Sequence, residues 1–334
     1  MNLIIPMAGM GKRMRPHTLT VPKPLLPIAG KPIVQRLVED IARLCAQPID
    51  EVAFVVGRFG AAVEARLLAI AESVGAKGRI CYQDEALGTA HAVLCGQAVM
   101  QGPVVVAYAA CLFRADTPLT LGADAVIVVQ QVADPSAFGV VQLDAAGTIT
   151  GFVEKPRTYV SDLAIIGVYY FPDGEALRRE LQYLLDHDLK ENNEYQLTNA
   201  LENLRRNGTR FVPGQVDEWL DCGNKASTVQ TNQRYLEYLR GTDLVAASAQ
   251  VVNSVVIPPV FIGENARVEN TVLGPHVSIG NGTHVVGSVI RNTIVQEKSQ
   301  LRNVLVQDSM IGNEVVIEQQ SSELSVGDFT VIRT

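Results

Sequence analysis

The sequence predicts an α/β domain followed by a solenoid of short parallel strands. From residue 1 to about 240, continuous apolar runs alternate with stretches of helical periodicity. That is the pattern of a mostly parallel sheet covered on both faces. From about residue 250 the helical periodicity stops, and a six-residue phrase recurs, opening on Gly and closing on Val or Ile. The expected domains are therefore 1–240 and 241–334.

The elements follow in order. "NLIIPMA" is a strand running into a Gly-rich loop. "IVQRLVEDIARLC" has helical spacing, with Ile33, Leu37, Ile41 and Leu44 on one face. "EVAFVVG" is a strand, and "GAAVEARLLAIAESVG" a helix ended by Gly75. "RICYQDE" is a strand and "GTAHAVLCGQAVM" a helix; "PVVVAYAACLF" and "DAVIVVQQV" are strands again. The whole reads as a Rossmann-like sheet, in which ligands bind beyond the carboxyl ends of the strands. That rule points to the loops after "LIIPMA" and "VVVAY". "NQRYLEYLRG" is a helix expected to link the domains.

The repeated phrase is "GENARV" from Gly263, "GPHVSI" from Gly274, "GNGTHV" from Gly280, "GNEVVI" from Gly312 and "GDFTVI" from Gly327. Gly at tight corners and an aliphatic residue at a fixed offset describe stacked coils. The phrase resembles the hexapeptide repeat of left-handed parallel β-helices; an ordinary β-sandwich is the alternative. Between residues 285 and 311 the phrase is degenerate.

Composition excludes several classes. Of 334 residues, 47% are hydrophobic and 19% charged, enough apolar content for large cores. A net charge of −7 argues against a nucleic-acid binder. No uninterrupted apolar run approaches the ~18 residues of a membrane span. The first strand is expected to begin at Asn2, so no signal peptide is expected. Cys45, Cys81, Cys95, Cys111 and Cys222 form no CxxC pair, which predicts reduced thiols and a cytoplasmic protein.

The chemistry is concentrated in "PMAGMGKRMRPHTLTVPKPLLPIAGKPI", residues 6–33. It is neither a GxxxxGK[ST] phosphate loop nor a dinucleotide fingerprint, whose third Gly is Met14 here. Gly9 and Gly11 let backbone N–H groups approach a polyphosphate. Lys12, Arg13 and Arg15 add positive charge, and Pro22 and Pro24 stiffen the chain around Lys23. Such a loop in an acidic protein calls for an anionic ligand.

These residues, "AGMGKRMRP…PKPLLPIAGKPI", resemble the signature of sugar-1-phosphate nucleotidyltransferases, the nucleoside-diphosphate-sugar pyrophosphorylases. Within that family the chain resembles the enzymes that act on glucose 1-phosphate with dTTP or UTP. It extends through "YQDEALGTAHAV", "FGVV", "FVEKP", "IIGVYYF" and "EWLDCGN", in that order. A left-handed β-helix often follows in that family. The resemblance implies an in-line attack by the sugar 1-phosphate on the α-phosphorus of a nucleoside triphosphate. It also implies Mg2+ as cofactor.

Carried over residue by residue, the resemblance has Gly9, Gly11 and Lys12 cradle the triphosphate, while Arg13 and Lys23 hold the phosphates at the reacting centre. Ala8, Gln83, Gly88 and Thr89 form the base site, the Gln83 amide donating and accepting at once to uracil or thymine. Gly139, Glu154, Lys155 and Gly167 take the sugar and its phosphate, and Asp221 the metal. The expected partners are dTTP or UTP, a sugar 1-phosphate and further copies of the chain, through the β-helix; nucleic acid and membrane are not expected.

One position departs from the family pattern. The central strand of such proteins ends in an Asp that shares the magnesium, and Ala110 stands there. Asp116 is six residues on, too far to replace it. The expectation is an enzyme scaffold silenced or weakened at Ala110, as an engineered Asp→Ala change would leave it. Two alternatives are a non-catalytic nucleotide-sugar binding or regulatory homologue, and a bifunctional enzyme with acyl transfer at His276 or His284 of the β-helix.

Overall fold

A computed structural model describes residues 1–9 and 11–319; the phrase beginning at Gly327 lies outside the described residues. The chain forms two compact units. One comprises Met1–Leu26 and Lys31–Asn224; the other comprises Pro27–Gly30 and the chain from Lys225 onward.

The first unit is built on a nine-stranded sheet. The strand Asn2–Pro6 lies between Glu51–Val56 and Val104–Ala107, parallel to both, and Lys77–Tyr82 adds in parallel beyond Glu51–Val56. Leu3, Ile4 and Ile5 are completely buried, so this strand is covered on both faces, as its unbroken apolar run requires. Beyond Val104–Ala107 the direction changes. Leu163–Phe171 runs antiparallel to Val104–Ala107 and to Ala125–Gln131. Gly139–Leu143 and Ile149–Glu154 form an antiparallel hairpin. Its turn is pinned by the Asp144 carboxylate, which accepts from the N–H groups of Ala146 and Thr148 at 2.9 and 2.8 Å. So short a connection can join only antiparallel strands. The sheet is thus parallel around its first strand and mixed beyond.

The helix Ile33–Cys45 buries Ile33, Leu37, Ile41 and Leu44, the face read from their spacing. Two other elements differ from expectation. The helix after Gly88 covers only Thr89–Leu94, because Gly96 turns the chain into a short 3-10 segment, Gln97–Val99. The run "VVVAYAACLF" is two strands. Val104–Ala107 stays in the main sheet, residues 108–110 turn, and Cys111–Arg114 pairs with Glu218–Asp221 in a separate antiparallel ladder.

In the second unit, the short strands among the described residues stack into three parallel ladders of five, four and four, the arrangement of a left-handed β-helix. Gln250, Arg267, His284, Gln300 and Val316 pair in succession, so each coil takes 17 or 16 residues. Val268, Val285 and Leu301 point inward with Leu273, Ile279 and Ile290 to form its core. The coils between residues 285 and 311, degenerate in sequence, stack in the same register as the others. Asn292, Lys298, Asn303 and Asp308 turn their corners in left-handed backbone, where the phrase led one to look for Gly.

The helix Lys225–Tyr238 belongs to this second unit, although the expected boundary stood after it at residue 240. The Asn232 carbonyl oxygen accepts from the Ala29 N–H and from the Ser278 hydroxyl, both at 2.8 Å. The Glu237 carboxylate is hydrogen-bonded to His276. Gly30 packs so closely on Phe261 that an added Cβ would stand 2.2 Å from its ring.

Candidate active site

A cavity of about 460 Å³ opens in the first unit at the carboxyl ends of its parallel strands. Three strand ends feed it: Met7–Gly9 after the first strand, Gln83 after Lys77–Tyr82, and Tyr108–Ala110 after Val104–Ala107. Its size falls within the 300–1,000 Å³ usual for small-ligand sites.

The basic loop closes one side. Gly11, Lys12, Arg13 and Lys23 all line the cavity. Gly11 has φ +58°, and a Cβ there would come within 2.9 Å of Lys23 Cβ, so the turn and the lysine stem fit only with Gly present. The Thr18 hydroxyl donates to the Gly11 carbonyl at 2.9 Å and holds the loop closed. Lys23 follows in a single 3-10 turn, Lys23–Leu25. Burial pushes its ammonium pKa down from the ordinary 10.5. The thiols of Cys222 and Cys111 and the Asp221 carboxylate oppose that shift, and the Arg13 charge adds to it.

Gln83, Gly88 and Thr89 also line the cavity, together with Ala8, Ala86 and Glu194. Gly88 sits at φ +115°, and a Cβ there would stand 2.5 Å from the Tyr195 carbonyl oxygen. Thr89 ties this wall to a distant segment: its hydroxyl oxygen accepts from the Leu197 N–H at 2.9 Å. The Gln83 amide nitrogen donates to the Gly88 carbonyl at 3.3 Å and lies 3.2 Å from His91 Nδ1. The donating end of this amide is thus engaged within the protein, which differs from the expectation that it serves the ligand with both ends.

Gly139, Glu154, Lys155 and Gly167 do not line the cavity, and the first three form a cluster of their own. Gly139 and Glu154 face each other across the hairpin. Glu154 accepts from the Thr198 hydroxyl at 3.4 Å and lies 3.6 Å from Lys155 Nζ. Gly167 packs instead behind the cavity wall, since its carbonyl accepts from the Tyr108 N–H at 2.9 Å. Asp221 pairs with Cys111 in the two-stranded ladder, and the next residue, Cys222, donates its N–H to the Ala110 carbonyl at 3.2 Å. Ala110, the last residue of the turn, is thus held beside the end of the Asp221 strand. Gly223, two residues past Asp221, reaches the cavity; a Cβ there would stand 2.8 Å from an Asp221 carboxylate oxygen.

Magnesium sites of this type use one or two carboxylates together with substrate phosphates. Among the described residues no cluster of three or more His, Cys, Asp and Glu side chains could hold a metal by itself. The donor set fits an ion carried in on a polyphosphate with Asp221 as its carboxylate, and Ala110 offers it no second one. Glu194 is the carboxylate residue in the cavity lining, and neither Asp116 nor Asp84 is part of it. Asp116 is bound to Arg114 at 2.9 Å, and Asp84 to Arg58 at 2.8 and 3.0 Å. Burial pushes the Cys111 thiol up to about 11, so it stays protonated at neutral pH.

Sequence reasoning missed Tyr108, Glu194 and Gly223 as parts of the wall. Tyr108 hides within a strand pattern, and the other two approach the site only through the fold. His276 and His284 bond to Glu237 and Glu269 within the β-helix unit and do not line the cavity.

A family model described as nucleotidyl transferase matches residues 3–238. A glucose-1-phosphate thymidylyltransferase of Streptomyces antibioticus is 29% identical over 350 residues, covering 96% of this chain and 94% of that protein. The bifunctional protein GlmU of Methanococcus maripaludis is 27% identical over 260 residues; the match spans 77% of this chain and 59% of that one. Among solved structures, a UDP-glucose pyrophosphorylase in complex with UDP-glucose superposes with a TM-score of 0.58 at 25% identity, over 71% of this chain and 98% of the other.

Proposed function

The chain belongs to the nucleotidyl transferase family, and from that premise we propose that it binds dTTP or UTP and glucose 1-phosphate for transfer of the nucleotidyl group. The products are the nucleoside-diphosphate sugar and pyrophosphate. One observation carries the reading: a single cavity at the parallel strand ends is lined both by Lys12, Arg13 and Lys23 and by the amide of Gln83 with Gly88 and Thr89. A charged triphosphate and a hydrogen-bonding base need those two sets of groups. The relatives that act on glucose 1-phosphate and UDP-glucose support the substrate class.

Gly9 and Gly11 present backbone to the phosphates, while Arg13 and Lys23 neutralise their charge as pyrophosphate separates. The protein needs no covalent nucleophile, because the sugar phosphate oxygen itself attacks. Positioning two mutually repelling anions is the main task of the side chains. Glu154 accepts from sugar hydroxyls, Lys155 meets the sugar's phosphate, and Gly139 and Gly167 leave room for the ring. Asp221 would hold Mg2+, which supplies charge stabilisation at the phosphates when bound.

In this reading Ala110 weakens that hold, so turnover is low while binding survives. The Ala110→Asp variant should raise magnesium-dependent pyrophosphate release by about 100-fold or more, since a catalytic metal contributes several kcal/mol. Tight dTTP or UTP binding with no turnover in both proteins would favour a nucleotide-sugar binding or regulatory role, which Ala110 itself supports as the second reading. We further propose that the protein is cytoplasmic and assembles with copies of itself through the β-helix. Among the described residues no helix is long and apolar enough to cross a membrane.

A further inference from the structure

We propose that His91 is a positioning residue for base selection, holding the Gln83 amide so that only its carbonyl oxygen faces the ligand. The inference rests on the reading of Gln83 as part of the base site. The Gly88 carbonyl can only accept a hydrogen bond, so the Gln83 group 3.3 Å from it is the NH2. That fixes which way the amide points. Its second N–H then meets His91 Nδ1 at 3.2 Å, and this nitrogen must be the unprotonated one. The His91 proton consequently sits on Nε2, 3.8 Å from the Cys95 sulfur, which is placed to accept it. His91 and Cys95 are four residues apart, on and just past the helix Thr89–Leu94, so one turn fixes the tautomer.

Both amide hydrogens are thereby used, and since Gln83 is a lining residue of the cavity, its carbonyl oxygen is the group left for a ligand. Turning the amide over would set that oxygen against two acceptors. The cavity therefore offers an acceptor to the base at this point. Uracil and thymine present N3–H there and are matched. Cytosine presents a bare N3 lone pair at that point and must shift in the site to offer its N4 amino group instead, so it is disfavoured. Discrimination against cytosine comes from a histidine outside the cavity lining, acting through the glutamine.

Calorimetric titration with UTP and CTP tests this without requiring turnover. The wild-type protein should prefer UTP. His91→Leu removes the acceptor, lets the amide rotate, and should lower the UTP-to-CTP affinity ratio by about tenfold, the effect of one lost hydrogen bond. His91→Met serves the same test should the leucine variant not fold. His91→Asn, whose side-chain oxygen can accept in place of Nδ1, should keep the ratio within about threefold of wild type. Glucose 1-phosphate affinity should not move in any of them. A ratio unchanged in His91→Leu and His91→Met, alongside a collapse in Gln83→Leu, overturns the role of His91 alone. A ratio unchanged in Gln83→Leu as well overturns the base site itself.

Discussion

Lys23 carries its charge where burial works against it, and the direction of that effect is measurable. A folded pKa below 10.5 means that charged Lys23 costs stability in the free protein, a cost relieved as pH rises through the lowered value. A bound triphosphate stabilises the charged form and raises the pKa again. Triphosphate affinity should therefore be full below the free-protein pKa and fall as pH climbs through it, at lower pH than an exposed lysine would give. Titration calorimetry across alkaline pH reads this directly. Lys23→Met should flatten the profile and weaken binding about 10- to 100-fold, as expected for losing a charge-assisted hydrogen bond. At this scale much of the site was legible, because Gly9, Gly11, Lys12, Arg13 and Lys23 are close in the chain and surround one cavity. The engagement of Gln83 with His91 was not, since hydrogen-bond direction depends on the backbone carbonyl of Gly88.

The β-helix coils are held by elements as short as two residues, so their corners carry much of the order. At one corner the side-chain oxygens of Ser254, Thr271 and Ser288 accept from the N–H of the residue one coil on: Thr271 at 3.1 Å, Ser288 at 3.2 Å and Val304 at 3.2 Å. Thr271 and Ser288 are buried, so water cannot replace these bonds. Thr271→Val keeps the shape but strands the Ser288 N–H, and should destabilise by about 1–3 kcal/mol. Thr271→Ser should restore most of it, as denaturant unfolding would show. Sequence alone gave the repeat class through Gly and aliphatic spacing. It obscured the coils from 285 to 311, because Asn, Asp and Lys can adopt the left-handed corner without Gly. The split of "VVVAYAACLF" was hidden for a different reason: Cys111–Arg114 is as apolar as a sheet strand, but its partner, Glu218–Asp221, is about a hundred residues away.

Over the whole molecule, each of the two units has a buried apolar core among the described residues, on the main sheet in the first and inside the stacked coils in the second, and this predicts two unfolding events. Scanning calorimetry should resolve both, and UTP at 100 times its Kd should stabilise only the first unit, by about 2.7 kcal/mol. The second unit has its own pH signature. Bonds from Arg240 and His276 hold the Glu237 carboxyl down at about 2, against an ordinary 4.5. Its stabilisation is therefore present above pH 4.5 and lost as pH falls toward 2. The second transition should drop over that interval, and drop less in Glu237→Gln. The excursion of Pro27–Gly30 into the second unit has a consequence for inheritance and for protein engineering. A gene fragment beginning at Lys225 encodes a β-helix whose Asn232 lacks the Ala29 N–H and whose Phe261 lacks the Gly30 backbone. The unit cannot be cut out and transplanted as one contiguous stretch. Recombination that exchanges tails among relatives must preserve a four-residue stretch near the start of the chain, embedded in the signature itself.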